Sequence, residues 1–189
     1  MRFAIILFSI FFSLSMVSSS NAGAASRTYL VNGIASAVPF IGYGMRNLKK
    51  KIRGAKLFSY LTSGEGKAVA RSIVKDAAAR YANDPDIKIN LIGISYGANM
   101  VTQIASSLAA KGVNVNYLGI IEGGKMSALR SNVQKADNFT CTNSDCTAGK
   151  VYVAGGNSVT VLKTFSIKSS HIPLANNAQV HSRVVAQIR

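Results

Sequence analysis

The run from Ile87 to Asn99, IKINLIGISYGAN, decides how the chain is read. Ile87 to Ile94 is nearly all apolar toward its end, as expected of a strand covered on both faces. From Ala98 to Lys111 the period changes. Val101, Ile104, Ala105 and Leu108 share one helical face, and Gly112 ends the run. Between strand and helix lies Gly93-Ile94-Ser95-Tyr96-Gly97, a G-x-S-x-G pattern in strand–turn–helix context. A serine on such a turn needs strained backbone angles, and small flanking residues let helix and strand approach. The hydroxyl then points out at the carboxyl end of the sheet. Ser95 is thus a candidate nucleophile, and the Tyr96 N–H, in the first helical turn, a candidate oxyanion donor.

Outward from this core the pattern repeats. Thr28 to Val31 is a short β-type run that stops at Asn32-Gly33. Met45, Leu48 and Ile52 recur at helical spacing, with Arg46, Lys49, Lys50, Lys51 and Arg53 between them. Ala55 to Leu61 reads as a strand. Gly64 to Ala82 reads as a helix with Val69, Ile73, Ala77 and Tyr81 on one face, and Asp84-Pro85-Asp86 breaks it. Val115 to Ile121 is a further strand. Lys125 to Lys150 is polar and irregular, with Val133 to Thr140 as a strand candidate inside it. Val151–Ala154 and Val159–Ile167 are β-like, and Ala178 to Ile188 is a final helix. Strands alternating with helices imply right-handed βαβ units. The expected fold class is α/β, a mainly parallel sheet flanked by helices in a single domain over 25–189.

The amino terminus suggests a destination. Arg2 precedes an apolar stretch, Ala4 to Val17, which gives way to Ser18-Ser19-Ser20-Asn21-Ala22-Gly23-Ala24. A basic start, a short apolar centre and a small-residue exit read as a secretory signal over 1–24, cleaved after Ala22 or Ala24. The apolar part is shorter than the ~20 residues a membrane span needs. The expectation is an exported protein, periplasmic or extracellular. In an oxidising compartment, Cys141 and Cys146 (CTNSDC) most simply close a small surface loop as a disulfide.

A serine nucleophile needs a base, and the chain holds two histidines, His171 and His181. His181 falls inside the final helix. His171 lies in the loop between the last strand and that helix, where the base belongs in the chain order Ser…acid…His. Between Ser95 and His171 the only acids are Glu122, Asp137 and Asp145. Asp145 is inside the cysteine loop and Asp137 is mid-run in a polar segment. Glu122 ends a strand (LGIIE) and emerges at the same sheet edge as Ser95, so it is the first choice for the acid and Asp137 the alternative.

Over the whole mature domain the chain resembles the α/β-hydrolase superfamily, in particular its small, lidless esterase, lipase and thioesterase-like members. In such enzymes the first strand leads into an H-G-x turn whose last N–H completes the oxyanion hole. Here the turn is Asn32-Gly33-Ile34, with the glycine kept and the histidine absent. By that resemblance Ile34 N–H is the second oxyanion donor. The resemblance implies a serine hydrolase cleaving an ester or thioester through Ser95, His171 and Glu122. Two departures stand out. Ile94 occupies a place commonly held by histidine, and Glu122-Gly123 stands where relatives often carry Asp-Pro.

Composition bounds the alternatives. The 189 residues carry 22 Lys+Arg against 7 Asp+Glu, a formal net charge of +15. A non-catalytic binding module using this basic surface on anionic lipid or polysaccharide is the competing reading. The basic segment 45–56 has a bland meaning, a solvated helix face, and a sharper one, peripheral contact with an anionic membrane surface. No nucleic-acid module is present, so no nucleic-acid partner is expected. Gly64-Glu65-Gly66-Lys67 lacks the Ser/Thr of a phosphate loop, and no histidine pair has metal spacing. No cofactor or metal is implied, and the expected ligand is a small-molecule or lipid ester.

Overall fold

Alternation along the first strand sets the layering. β1 (Ser26–Val31) sends Tyr29 and Val31 into one apolar cluster and Leu30 into another, and all three are fully buried. A strand buried on both faces needs cover on both sides of its sheet. The computed structural model, which describes residues 25–38 and 40–189, provides it. The apolar amino-terminal run and its secretory reading lie outside the described residues.

The remaining elements are α1 (Tyr43–Lys51), β2 (Lys56–Phe58), α2 (Ser63–Asn83), β3 (Lys88–Ile94), α3 (Tyr96–Ala109), β4 (Val115–Ile121), β5 (Val133–Cys141), β6 (Val161–Ile167), α4 (His171–Leu174) and α5 (Ala178–Gln187). The six strands form one sheet in the order β2-β1-β3-β4-β5-β6, every neighbouring pair parallel. Helices α2 and α3 cover one face, burying Ile73, Ala77, Val101, Ile104 and Leu108 against Ile89, Leu91, Leu118 and Ile120. Helices α1 and α5 cover the other, where Met45, Leu48, Val180 and Val184 meet Leu30, Ile92 and Ile121. Local chemistry fixes the helix starts. Thr62 Oγ1 accepts from Glu65 N–H at the head of α2, and Asn177 Oδ1 accepts from Gln179 and Val180 N–H at the head of α5.

The expected α/β class and parallel sheet are present. Three local expectations need correction. Val151–Ala154 forms no strand and makes only an isolated bridge, Val153 with Leu129. The second strand is three residues long, because the chain after Phe58 turns into the loop that carries Tyr60. The basic cluster does not share one helix. α1 ends at Lys51, and Lys56 opens β2, where it pairs with Asp76 at 3.6 Å.

Two features of this topology position a site. The chain leaves β1 toward β2 on one side and returns to β3 on the other, so the loops after β1 and β3 diverge. The carboxyl edge of such a switch point is where open parallel sheets hold ligands. In addition, α1 must run back from that edge to let β2 start parallel to β1. Lys49, Lys50 and Lys51, in its last turn, and Arg53 just beyond it are therefore carried toward the opposite edge of the sheet.

At the β3–α3 turn the backbones are in contact. A methyl group at Gly93 would collide with Gly97 O, and one at Gly97 would collide with the carbonyl oxygens of Val31 and Asn32. Gly97→Ala should therefore destabilise the protein by about 1–3 kcal/mol, read as a lowered Tm. Gly124→Ala, with open space around its Cα, should change stability by less than about 0.5 kcal/mol.

Candidate active site

The packing of α3 against β1 and β3 forces the residue between them out of ordinary backbone space. Ser95 sits at φ 57°, ψ −125°. A non-glycine residue held there costs of order 1–3 kcal/mol, and three backbone bonds hold it. Its N–H donates to Ile121 O at 2.9 Å, and its carbonyl accepts from Ala98 N–H at 2.9 Å and Asn99 N–H at 3.3 Å. Serine at a helix N-cap normally spends its hydroxyl on the first turn. Ser95 makes no such bond, which leaves Oγ for other use.

The turn after β1 passes directly beside this hydroxyl. A methyl at Gly33 would lie 3.1 Å from Ser95 Cβ and 3.5 Å from Oγ. The turn is tied to the chain beyond β2. Asn32 N–H donates to Phe58 O at 3.0 Å, Asn32 Nδ2 donates to Ser59 Oγ at 2.8 Å, and Tyr60 Oη donates to Asn32 O at 2.6 Å. Asn32, standing where the resemblance led us to look for histidine, is a buried anchor for the turn. Burial raises the Tyr60 phenol well above its ordinary value, so it stays a neutral donor to Asn32. Tyr96, as the first residue of α3, has no intrahelical acceptor for its N–H. Ile34 N–H donates to no backbone carbonyl among the described residues.

Ser95 and His171 line one cavity of about 240 Å³ with Asn32, Gly33, Ser36 and four isoleucines, Ile34, Ile41, Ile94 and Ile172. No hydrogen bond joins the two side chains; such bonds commonly tighten only when substrate is bound. His171 opens the short α4. Its Nδ1 is buried without a hydrogen-bond partner among the described residues, while its backbone N–H donates to Asp145 Oδ2 at 3.1 Å. Three of the lining isoleucines, Ile34, Ile41 and Ile172, are also exposed, and Phe40, next to Ile41 in the chain, is 85% exposed.

The other sequence candidates are placed elsewhere. His181 is buried in α5, its Nε2 2.7 Å from Ala175 O, and burial lowers its pKa. Asp137, the alternative acid, is buried in an ion pair with Arg183 at 2.9 Å and accepts from Tyr117 Oη at 3.1 Å. Glu122 does reach the carboxyl edge, but its carboxylate is occupied. Oε2 accepts from Cys141 N–H at 2.8 Å. Oε1 accepts from Ala148 N–H at 2.8 Å, Thr147 Oγ1 at 2.7 Å and Thr147 N–H. Among the described residues no hydrogen bond joins Glu122 to His171. The acid beside His171 is Asp145, which sequence reasoning passed over as a loop residue. Its one visible signal was its place in the CTNSDC loop, after β5 and before β6. The expected Cys141–Cys146 disulfide is formed.

No family profile matches the sequence, and no curated protein matches it. Solved structures do resemble it. One is the RedJ thioesterase from the prodiginine biosynthetic pathway in Streptomyces coelicolor, 12% identical over 88% of this chain and 90% of that chain, with TM-score 0.51. Another is the NocB thioesterase domain from the nocardicin cluster, 13% identical over 88% of this chain and 93% of that chain, with TM-score 0.49. The protein has the α/β-hydrolase fold.

Burial works to raise the pKa of Glu122, but the bonds from Thr147, Cys141 and Ala148 outweigh it and hold the carboxyl below its ordinary value. A depressed folded-state pKa gives stability that is present above the unfolded value and lost as pH falls through the folded one. Glu122→Gln should therefore lower stability by about 1–3 kcal/mol near neutral pH. In thermal melts taken down a pH series, the gap between wild type and variant should close in acid.

Proposed function

We propose that this protein is an exported serine hydrolase that cleaves esters or thioesters of small apolar acyl groups. The observation that carries the reading is Ser95. Its hydroxyl makes no hydrogen bond among the described residues, its backbone is held at positive φ, and it shares a cavity with His171 and four isoleucines. His171 takes the proton from Ser95 Oγ as the oxygen attacks the substrate carbonyl. The amides of Tyr96 and Ile34 receive the charge that develops on the carbonyl oxygen. His171 then returns the proton to the leaving alcohol or thiol, and a water molecule, activated by the same imidazole, releases the acyl group. RedJ is a thioesterase of the same fold, which favours thioesters as one substrate class.

The cavity narrows the substrate. At about 240 Å³ it lies below the usual 300–1,000 Å³ of small-molecule sites, and isoleucines dominate its wall. A short or branched aliphatic acyl group fits such a space. The exposed, cavity-lining Ile34, Ile41 and Ile172, with Phe40 exposed next to Ile41, support contact of the opening with an amphiphilic substrate or its surface. The lysines at the end of α1 sit toward the other edge, so they attract an anionic surface without lining the mouth.

Purified protein should hydrolyse p-nitrophenyl acetate and butyrate, and Ser95→Ala or His171→Ala should each lower kcat by roughly 10³-fold or more. The butyrate ester should exceed the laurate in kcat/KM by on the order of 10-fold or more. Hydrolysis unaffected by Ser95→Ala would remove Ser95 as the nucleophile, and no hydrolysis by the folded wild type would leave the basic surface as the functional feature.

A further inference from the structure

The first part of the connection between β5 and β6, residues 142–148, is clamped at both ends by one side chain. Glu122 Oε2 takes the N–H of Cys141, where β5 ends, and Oε1 takes the N–H groups of Thr147 and Ala148. The Cys141–Cys146 bond closes the same span, and both sulfurs lie within 4.8 Å of a Glu122 carboxylate oxygen. Inside this double closure sits Asp145. The closed loop is docked on the segment that bears the base. Asn143 N–H donates to Ser169 O at 3.3 Å, Asn143 Nδ2 to Ser170 Oγ at 2.8 Å, and Asp145 Oδ2 accepts from His171 N–H at 3.1 Å.

Two atoms on this junction have no protein hydrogen-bond donor or acceptor opposite them among the described residues. His171 Nδ1 is buried, and Asp145 is exposed. Asp145 Oδ1 has Cys146 Sγ at 3.8 Å, a disulfide sulfur with no hydrogen to donate. One oxygen of the carboxylate already fixes the backbone of His171, and the other belongs to the same rigid group. The carboxylate thus brings a second acceptor oxygen to the residue whose ring carries the unpaired Nδ1. The imidazole would then be held with Nε2 free for Ser95 and stabilised when it takes the proton.

We propose that Asp145 is the positioning residue for His171, and that the Cys141–Cys146 disulfide with Glu122 holds it there, so that turnover depends on the oxidised loop. The inference rests on the serine-hydrolase reading. Reducing the loop with dithiothreitol takes two electrons and two protons from the reagent, which becomes its cyclic disulfide, and leaves Cys141 and Cys146 as thiols. The 142–146 segment then loses its covalent closure, and Asp145 is free to leave His171.

The test uses an oxygen ester, p-nitrophenyl butyrate, because thiols attack thioesters directly. Asp145→Asn should lower kcat by on the order of 10²–10⁴-fold with KM little changed. Its acidic limb in kcat/KM should move to lower pH, since the imidazolium loses its carboxylate. A structural defect alone would not move that limb. Reduction of wild type should lower kcat by roughly 10–10²-fold, and reoxidation should restore it. The Cys141→Ser, Cys146→Ser double variant should start at the reduced level and ignore reductant. Glu122→Gln should lower kcat in the same direction while keeping Asp145-dependent behaviour. If Ser95-dependent hydrolysis is present but Asp145→Asn keeps both rate and pH profile, the assignment of Asp145 is overturned. If reduction confirmed by thiol titration leaves kcat unchanged, the dependence on the disulfide is overturned. Absence of any Ser95-dependent hydrolysis in the oxidised wild type would instead overturn the reading beneath it.

Discussion

The first turn of α3 lies against the ends of β1 and β3 with no room for a side chain, and most of the site follows from that contact. Val31 O and Asn32 O occupy the space where a Gly97 side chain would be, and Gly97 O does the same for Gly93. With both neighbours forced close, the intervening residue takes the bend, and Ser95 is left at positive φ with its hydroxyl outside the helix. The backbone strain of about 1–3 kcal/mol is offset by the apolar layers of α2 and α3 on one face of the sheet and α1 and α5 on the other.

The same edge gathers the remaining groups because the strands are parallel. Every loop that follows a strand emerges there, so the turn after β1, the Ser95 turn, Glu122, the disulfide loop and His171 converge from distant parts of the chain. The reversal of strand order between β1 and β3 opens the space that Ser95 and His171 both line. Basic residues, by contrast, follow no single surface. Asp76 pairs with Arg27, Lys56 and Arg80, Asp137 pairs with Arg183, and the α1 lysines lie away from the mouth. The high net charge sets an overall potential, and none of it is needed for the proposed chemistry.

The Ser95 turn, the placing of His171 on the same cavity and the layered fold were readable from sequence because each is a local pattern. G-x-S-x-G lies between an apolar strand and an amphipathic helix, and His171 falls in a particular inter-element loop. Strand β4 was placed residue for residue, and the long helices to within two residues of each end. The acid next to His171 was not legible in the same way. Glu122 and Asp145 both reach the carboxyl edge, and their different contacts, Glu122 with 141–148 and Asp145 with the His171 N–H, follow from how the loop after β5 folds back. That loop is irregular and has no periodicity, and its path is set by Glu122, by a disulfide and by bonds to residues 169–171. Those are contacts between distant positions, which spacing along the chain does not encode. Asn32 was hidden for a similar reason, since its work is to accept from Tyr60 and donate to Ser59 across the sheet edge.

The central claim is that Ser95 is a nucleophile poised by the fold. Its most direct test is mass-spectrometric peptide mapping after treatment of the oxidised protein with a fluorophosphonate probe. The account predicts one stoichiometric adduct, on the peptide containing Ser95, which disappears when the protein is unfolded before treatment. A folded protein that takes up no probe, or takes it up at another residue, would contradict the account.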